Sequence, residues 1–114
     1  MSECLFCSMV KGDITPDIVY QTDTVLAFRD INPRAPVHIL IIPKKHIATL
    51  ADVGDDDTVL MGEIMQAAKK IAELEGLAES GYRTVFNCKR DAGQEVYHIH
   101  LHLLGGRPMQ WPPG

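Results

Sequence analysis

The sequence predicts an α+β fold of about five mostly antiparallel strands, one long helix and a short N-terminal helix. Three observations carry that reading. Short β-branched and apolar runs are separated by turn-forming residues. A single stretch repeats apolar residues at three- and four-residue steps. Near the C-terminus, His98-Ile99-His100-Leu101-His102-Leu103 alternates polar and apolar residues with the period of a strand.

Leu5 to Val10 reads as the short first helix, ended by Lys11-Gly12-Asp13. Ile18-Val19-Tyr20 and Val25-Leu26-Ala27-Phe28 form a hairpin across Gln21-Thr22-Asp23-Thr24. The loop from Asp30 to Pro36 holds two prolines, which preclude regular structure. Val37 to Ile42 is a central strand stopped by Pro43, since nearly every position is β-branched or apolar. Asp55-Asp56-Asp57 opens the long helix, because acidic residues suit the positive end of the helix dipole. Its apolar stripe runs Leu60, Ile64, Ala67, Ile71 and Leu74, with Met61 and Met65 as core filler, Lys69-Lys70 on a solvated face and Gly76 as terminator. Tyr82 to Asn87 is a further strand, Asp91 to Gln94 a turn, and Val96 to Leu104 the histidine strand. The tail, residues 107–114, is too rich in proline for helix or internal strand and is expected to be extended.

The 114 residues suffice for one domain, 1–114, with one core. A formal charge of −4 argues against broad binding to nucleic acid, which needs a basic face. No apolar run approaches a membrane span, and the N-terminal segment lacks the basic-then-apolar pattern of a secretory signal. A cytoplasmic location is expected. Three cysteines are no disulfide framework: Cys88 reads as a small buried residue, while Cys4 and Cys7 form a Cys-x-x-Cys pair that is half of a tetrahedral metal site.

On a strand, His98, His100 and His102 project from one face while Ile99, Leu101 and Leu103 pack behind them. Three rings on one face are costly to bury without partners, so chemistry is the better reading than packing. Two chemistries stay open on the residues alone: a metal site, since His-x-His on a strand chelates, and acid–base or nucleophilic catalysis.

The triad, flanked by Gln94-Glu95-Val96-Tyr97 and Leu103-Leu104-Gly105-Gly106-Arg107, closely resembles the histidine triad (HIT) superfamily. Asp30-Ile31-Asn32-Pro33, Ile41-Ile42-Pro43-Lys44-Lys45-His46 and the ending Trp111-Pro112-Pro113-Gly114 resemble its Hint branch, the histidine triad nucleotide-binding proteins. The resemblance runs from Leu5 to Gly114. It implies a HIT-like fold and a purine nucleoside phosphoramidase that cleaves the P–N bonds of adenosine 5′-monophosphoramidate and related conjugates. A neutral imidazole is a useful nucleophile against anionic phosphorus near pH 7, and an amine leaving group needs a proton donor beside it.

Carried onto this chain, the resemblance makes His100 the nucleophile, with its second nitrogen bonded to the carbonyl of His98, and His102 the contact to phosphate and leaving group. Asn87 and the backbone from Gly93 through Gln94 and Glu95 to Val96 would hold phosphoryl oxygens, and Asp30 the ribose hydroxyls. Phe6, Met9, Phe28 and Ile31 would enclose the base of AMP or GMP, an apolar slot suiting a purine ring. Glu95 stands where some members of the branch carry a serine, so the serine's role does not transfer to it; bacterial members also carry glutamate there. His38 reads as an ordinary strand residue.

Some relatives bind zinc with a Cys-x-x-Cys pair and two histidines. The matching set here is Cys4, Cys7, His46 and His98, a structural site that fixes His98 and hence His100, no cofactor being required for the hydrolysis itself. The branch is homodimeric, which implies a homodimer here with Trp111 near the partner's site. The rivals are a dinucleoside polyphosphate hydrolase of the same superfamily, a nucleotide-binding regulatory module with slow turnover, and a zinc hydrolase using the triad as ligands.

Overall fold

A computed structural model describes residues 4–114; residues 1–3 of the N-terminal segment, and the readings that touch them, lie outside the described residues. Helix α1 spans Leu5–Lys11 and ends at Gly12, whose φ of 88° is the left-handed cap the sequence calls for. Strands β1 (Ile18–Gln21), β2 (Val25–Arg29) and β3 (Val37–Pro43) follow. The first turn is closed by the Thr22 hydroxyl, which accepts from the amides of Thr24 and Val25. Helix α2 (Thr58–Leu74) leads to β4 (Tyr82–Phe86), the one-turn helix α3 (Lys89–Ala92) and β5 (Leu101–Gly105). The strands form one antiparallel sheet in the order β1-β2-β3-β5-β4. The fold class is the one the sequence predicts.

Two apolar layers flank the sheet, and strand alternation decides which residue enters which. Ile39 and Ile41 of β3, Leu101 and Leu103 of β5, and Ile99 pack with Ile64, Ala67, Ala68 and Ile71 of α2. On the opposite face Leu26, Phe28, Leu40 and Ile42 pack with Phe6 of α1. The α2 face is a closed core. The α1 face is covered only in part, and the site lies there.

Several expectations are corrected. The acidic run 55–57 forms a 3₁₀ turn ahead of α2, and Asp57 is buried there, accepting from the Gly54 amide and pairing with Lys45 at 2.6 Å. Leu74 is 69% exposed and Met65 47%, so the buried stripe ends at Ile71. Leu77, just past Gly76, fills that end of the core instead, seated so close to Gly105 that a Cβ there would meet its side chain at 2.5 Å. The histidine strand is shorter than read from the sequence: β5 begins at Leu101, and residues 96–100 are outside the ladder. Pro43 is the reason. Register places Leu101 opposite Ile41, so Ile99 would face Pro43, which has no amide hydrogen to give. The Ile99 amide bonds the carbonyl of Ile47 instead. The predicted turn at Asp91–Gln94 is partly taken up by α3, and the tail 107–114 carries neither helix nor strand.

Candidate active site

Although only His102 is in the ladder, the triad alternates as a strand would: Ile99, Leu101 and Leu103 are in the core, and the imidazoles point toward α1. The Phe6 ring meets both His98 and His100 edge-on at centroid separations of 5.8 and 5.3 Å, and His100 lies 5.0 Å from His102. The rings share one side.

Hydrogen bonds fix which nitrogen of each ring carries the proton. His100 Nδ1–H donates to the carbonyl of His98 at 2.9 Å, so the proton is on Nδ1 and the Nε2 lone pair is bare. The Arg34 amide donates to Nδ1 of His38 at 3.0 Å, which leaves the His38 proton on Nε2. That Nε2–H donates to Nδ1 of His102 at 2.9 Å, so His102 carries its own proton on Nε2. A nucleophilic lone pair and an N–H donor therefore stand on adjacent rings. Burial, and then the neighbouring His100 and His38, push His102 down to about 4, and burial lowers His38. Both are neutral at pH 7, as the chain of bonds requires.

His38 is the residue that sequence reasoning missed. It is a buried link of this chain, with Asp30 Oδ2 3.4 Å from its Nε2. The signal was present in its phase: His38 alternates with Leu40 and Ile42, on the face opposite Ile39 and Ile41. Asp30, His38 and His102 are close enough to hold a metal ion. Yet His38 cannot give Nε2 to a cation while Nδ1 accepts from Arg34, because its one proton must then reside on Nε2. The geometry is that of a proton-ordering chain.

These rings open into a cleft of about 710 Å³. Phe6, Met9, Phe28 and Ile31 are apolar residues of its lining, which Asp30, Asn87, Gly93, Glu95 and Val96 share with His38, His100 and His102. Ile31 is 91% exposed, an apolar side chain left without a neighbour at the mouth of an apolar slot. Gln94 is expected to serve through its backbone and Trp111 at a partner's site, and neither residue is in the lining of this cleft. The side chain of Gln94 is buried and turned out of the cleft, and Trp111, 81% exposed, stands outside its lining.

Beneath the cleft, Cys4, Cys7, His46 and His98 bring four donor atoms together. A tetrahedral zinc with Zn–N of about 2.1 Å and Zn–S of about 2.3 Å has edges of roughly 3.4 Å between nitrogens and 3.6 Å between nitrogen and sulfur. Here the two Nδ1 atoms are 3.2 Å apart, and the sulfur–nitrogen separations are 3.3, 3.4 and 3.6 Å. His98 Nε2–H donates to the carbonyl of Pro43 at 2.8 Å, which leaves its Nδ1 lone pair aimed at the cysteines. The donor set fits zinc in chemistry and in dimensions.

A model of the HIT domain matches residues 11–109. The chain belongs to the HIT domain family. It is 54% identical over 107 residues to a purine nucleoside phosphoramidase of Escherichia coli K12, covering 94% of this chain and 90% of that protein. The HIT family hydrolase of Legionella pneumophila Philadelphia 1 is 61% identical, with a TM-score of 0.96 over 98% of this chain and all of that one. A histidine triad protein of Clostridium difficile is 42% identical, with a TM-score of 0.91 over 96% and 97% of the two chains. Both solved relatives share this HIT fold across nearly their whole length.

Proposed function

We propose that this HIT protein is a purine nucleoside phosphoramidase, hydrolysing nucleoside 5′-phosphoramidates to the nucleoside monophosphate and an amine. The bare Nε2 of His100 beside the Nε2–H of His102, in a cleft also lined by Phe6, Met9, Phe28 and Ile31, is the observation that carries the reading. The name of the Escherichia coli relative supports the same activity.

In this reading the His100 Nε2 lone pair attacks phosphorus, a P–N bond to His100 forms and the P–N bond to the amine breaks. A phosphoryl anion opposite His102 reverses part of the burial penalty on its charged form, so the ring takes up a proton from solvent as the substrate binds. The departing nitrogen takes a proton from the Nε2 of that imidazolium, which returns to the neutral ring. Water then adds to phosphorus, returns a proton to His102 and frees His100. Asn87 and the segment 93–96 hold the phosphoryl oxygens, Asp30 the ribose hydroxyls, and Phe6, Met9, Phe28 and Ile31 the base, AMP and GMP being the products.

The test is steady-state hydrolysis of an AMP–amine conjugate beside a dinucleoside polyphosphate. kcat/KM is expected to favour the conjugate by at least about 100-fold. Faster turnover of the polyphosphate would replace this reading with that of a dinucleotide hydrolase.

His38 acts by holding His102 in the Nε2–H tautomer. His38→Phe is expected to lower kcat about 100-fold with KM little changed. His38→Gln, whose amide N–H can reach His102 Nδ1, retains more activity than His38→Phe. A kcat within threefold of wild type in the phenylalanine variant would dismiss the role.

The proposal extends to a single domain over residues 1–114, a zinc ion on Cys4, Cys7, His46 and His98, a homodimer, and a cytoplasmic location. Zinc would tie α1 to the sheet and hold the His98 carbonyl against His100, with no part in the bond cleavage. The open edge strand β4, and Val59, Met65 and Leu74 exposed on α2, support pairing with a second copy, with Trp111 reaching toward the partner's cleft. Among the described residues no helix is long and apolar enough to cross a membrane. Purine nucleotides are the proposed ligands, with neither nucleic acid nor membrane as partner.

A further inference from the structure

We propose that Gln94 is a positioning residue: its side-chain amide holds the loop between β4 and the triad in a strained shape that presents Glu95 and Val96, whose amides follow the two committed within the loop, to the phosphate. This rests on the reading of residues 93–96 as the phosphoryl cradle.

The strain is at Lys89, which has a φ of 68° without being glycine. A left-handed conformation crowds the Cβ of any L residue and persists only where neighbours over-determine it. Lys89 is exposed, so packing of its side chain does not hold it there. Gln94 does. Its side-chain Oε1 accepts from the Lys89 amide at 2.8 Å, and its main-chain N–H donates to the Lys89 carbonyl at 3.1 Å. Both main-chain groups of the strained residue are thus bonded to one partner.

Both hydrogens of the Gln94 side-chain amide tie that ring to the segments that follow β3 and precede the triad. Its Nε2 donates to the carbonyls of Ala48 at 2.8 Å and Val96 at 3.1 Å. Ala48 adjoins Ile47, whose carbonyl accepts from Ile99, between His98 and His100. One buried amide, 7% exposed, therefore spans the loop, the segment after β3 and the approach to the triad. Gly93 and Val96 then face the cleft on either side of it. A glutamate in its place has the same shape but would set a carboxylate against two carbonyl oxygens, so only the amide satisfies all three partners.

The test compares wild type, Gln94→Ala, Gln94→Glu and the double variant Gln94→Ala/Lys89→Gly. AMP affinity is measured by calorimetry, kcat and KM with an AMP–amine conjugate, and amide hydrogen exchange across residues 88–97. Both single variants are expected to weaken AMP binding and raise KM about 10-fold, with a smaller change in kcat and faster exchange in the loop. A merely structural loss would lower kcat through the folded fraction and leave KM alone. Glycine adopts the left-handed shape freely, so Lys89→Gly should return at least a third of the lost affinity and slow the exchange again. Unchanged exchange in both Gln94 variants would overturn the clamp. Faster exchange with AMP affinity and KM within twofold of wild type, or no recovery in the double variant, would overturn its role in nucleotide binding. Should wild type bind no AMP while the exchange behaves as expected, the phosphate reading fails and the clamp stands as a feature of the fold alone.

Discussion

Replacing His100 with alanine is expected to cut kcat on an AMP–amine conjugate by about 10⁴-fold or more, while AMP affinity stays within about threefold. The asymmetry follows from what the ring touches. His100 contributes its Nδ1–H to the His98 carbonyl and one edge to Phe6, and the base wall and the loop 93–96 do not depend on it. Deleting the ring removes the atom that forms the covalent bond and leaves the binding surface in place. The measurement pairs single-turnover hydrolysis with calorimetric titration of AMP. It also separates an enzyme from a binding module: if wild type and His100→Ala hydrolyse the conjugate at the same slow rate, nucleotide occupancy, not turnover, is the property of the cleft. In the wild type, acid quenching during turnover should trap nucleotide on the protein at up to one equivalent, and on His100→Ala none.

The triad was legible because period-two alternation is a local property, readable without knowing any neighbour. His38 was not, since its phase in β3 says which face it is on but not what it meets there. Its meaning depends on β3 lying beside β5, with Leu40 opposite His102, and that is long-range information. The same limit explains the length of β5. The run from Val96 reads as strand throughout, yet a proline on the neighbouring strand ends the ladder. Leu74 shows the reverse error. Helical periodicity alone counts it in the buried stripe, but the core at that end is filled by Leu77 arriving from the following turn. The four metal-ligating candidates, 94 positions apart in sequence at the extremes, were named through resemblance to relatives; spacing alone gave only Cys4 and Cys7.

Those four residues carry the other large effect. Protein purified without a histidine tag is expected to contain about one equivalent of zinc. Chelation, or Cys7→Ser, should remove it and lower Tm by about 12 °C. That figure takes about 3 kcal/mol of stability from a ligand present at some hundred times its Kd, and about 0.24 kcal/mol per degree for a chain of this size. The physical cause is the company of His98. It is fully buried, its Nε2–H is committed to Pro43, and its Nδ1 lone pair faces the Nδ1 of His46 at 3.2 Å. A cation satisfies both nitrogens at once; without one, the packing of Phe6 is left to hold the start of α1 on the sheet with no bond through the metal. Because α1 carries Phe6 and Met9, base binding should weaken with the metal, whereas the chemical rate at saturation, measured well below the lowered Tm, should change by less than about threefold. A catalytic zinc would give the opposite pattern, with the rate abolished at temperatures where the fold persists. Less than a tenth of an equivalent of any transition metal in the wild type, with Tm unmoved in Cys7→Ser, would leave Cys4 and Cys7 as reduced thiols of the first helix and nothing more.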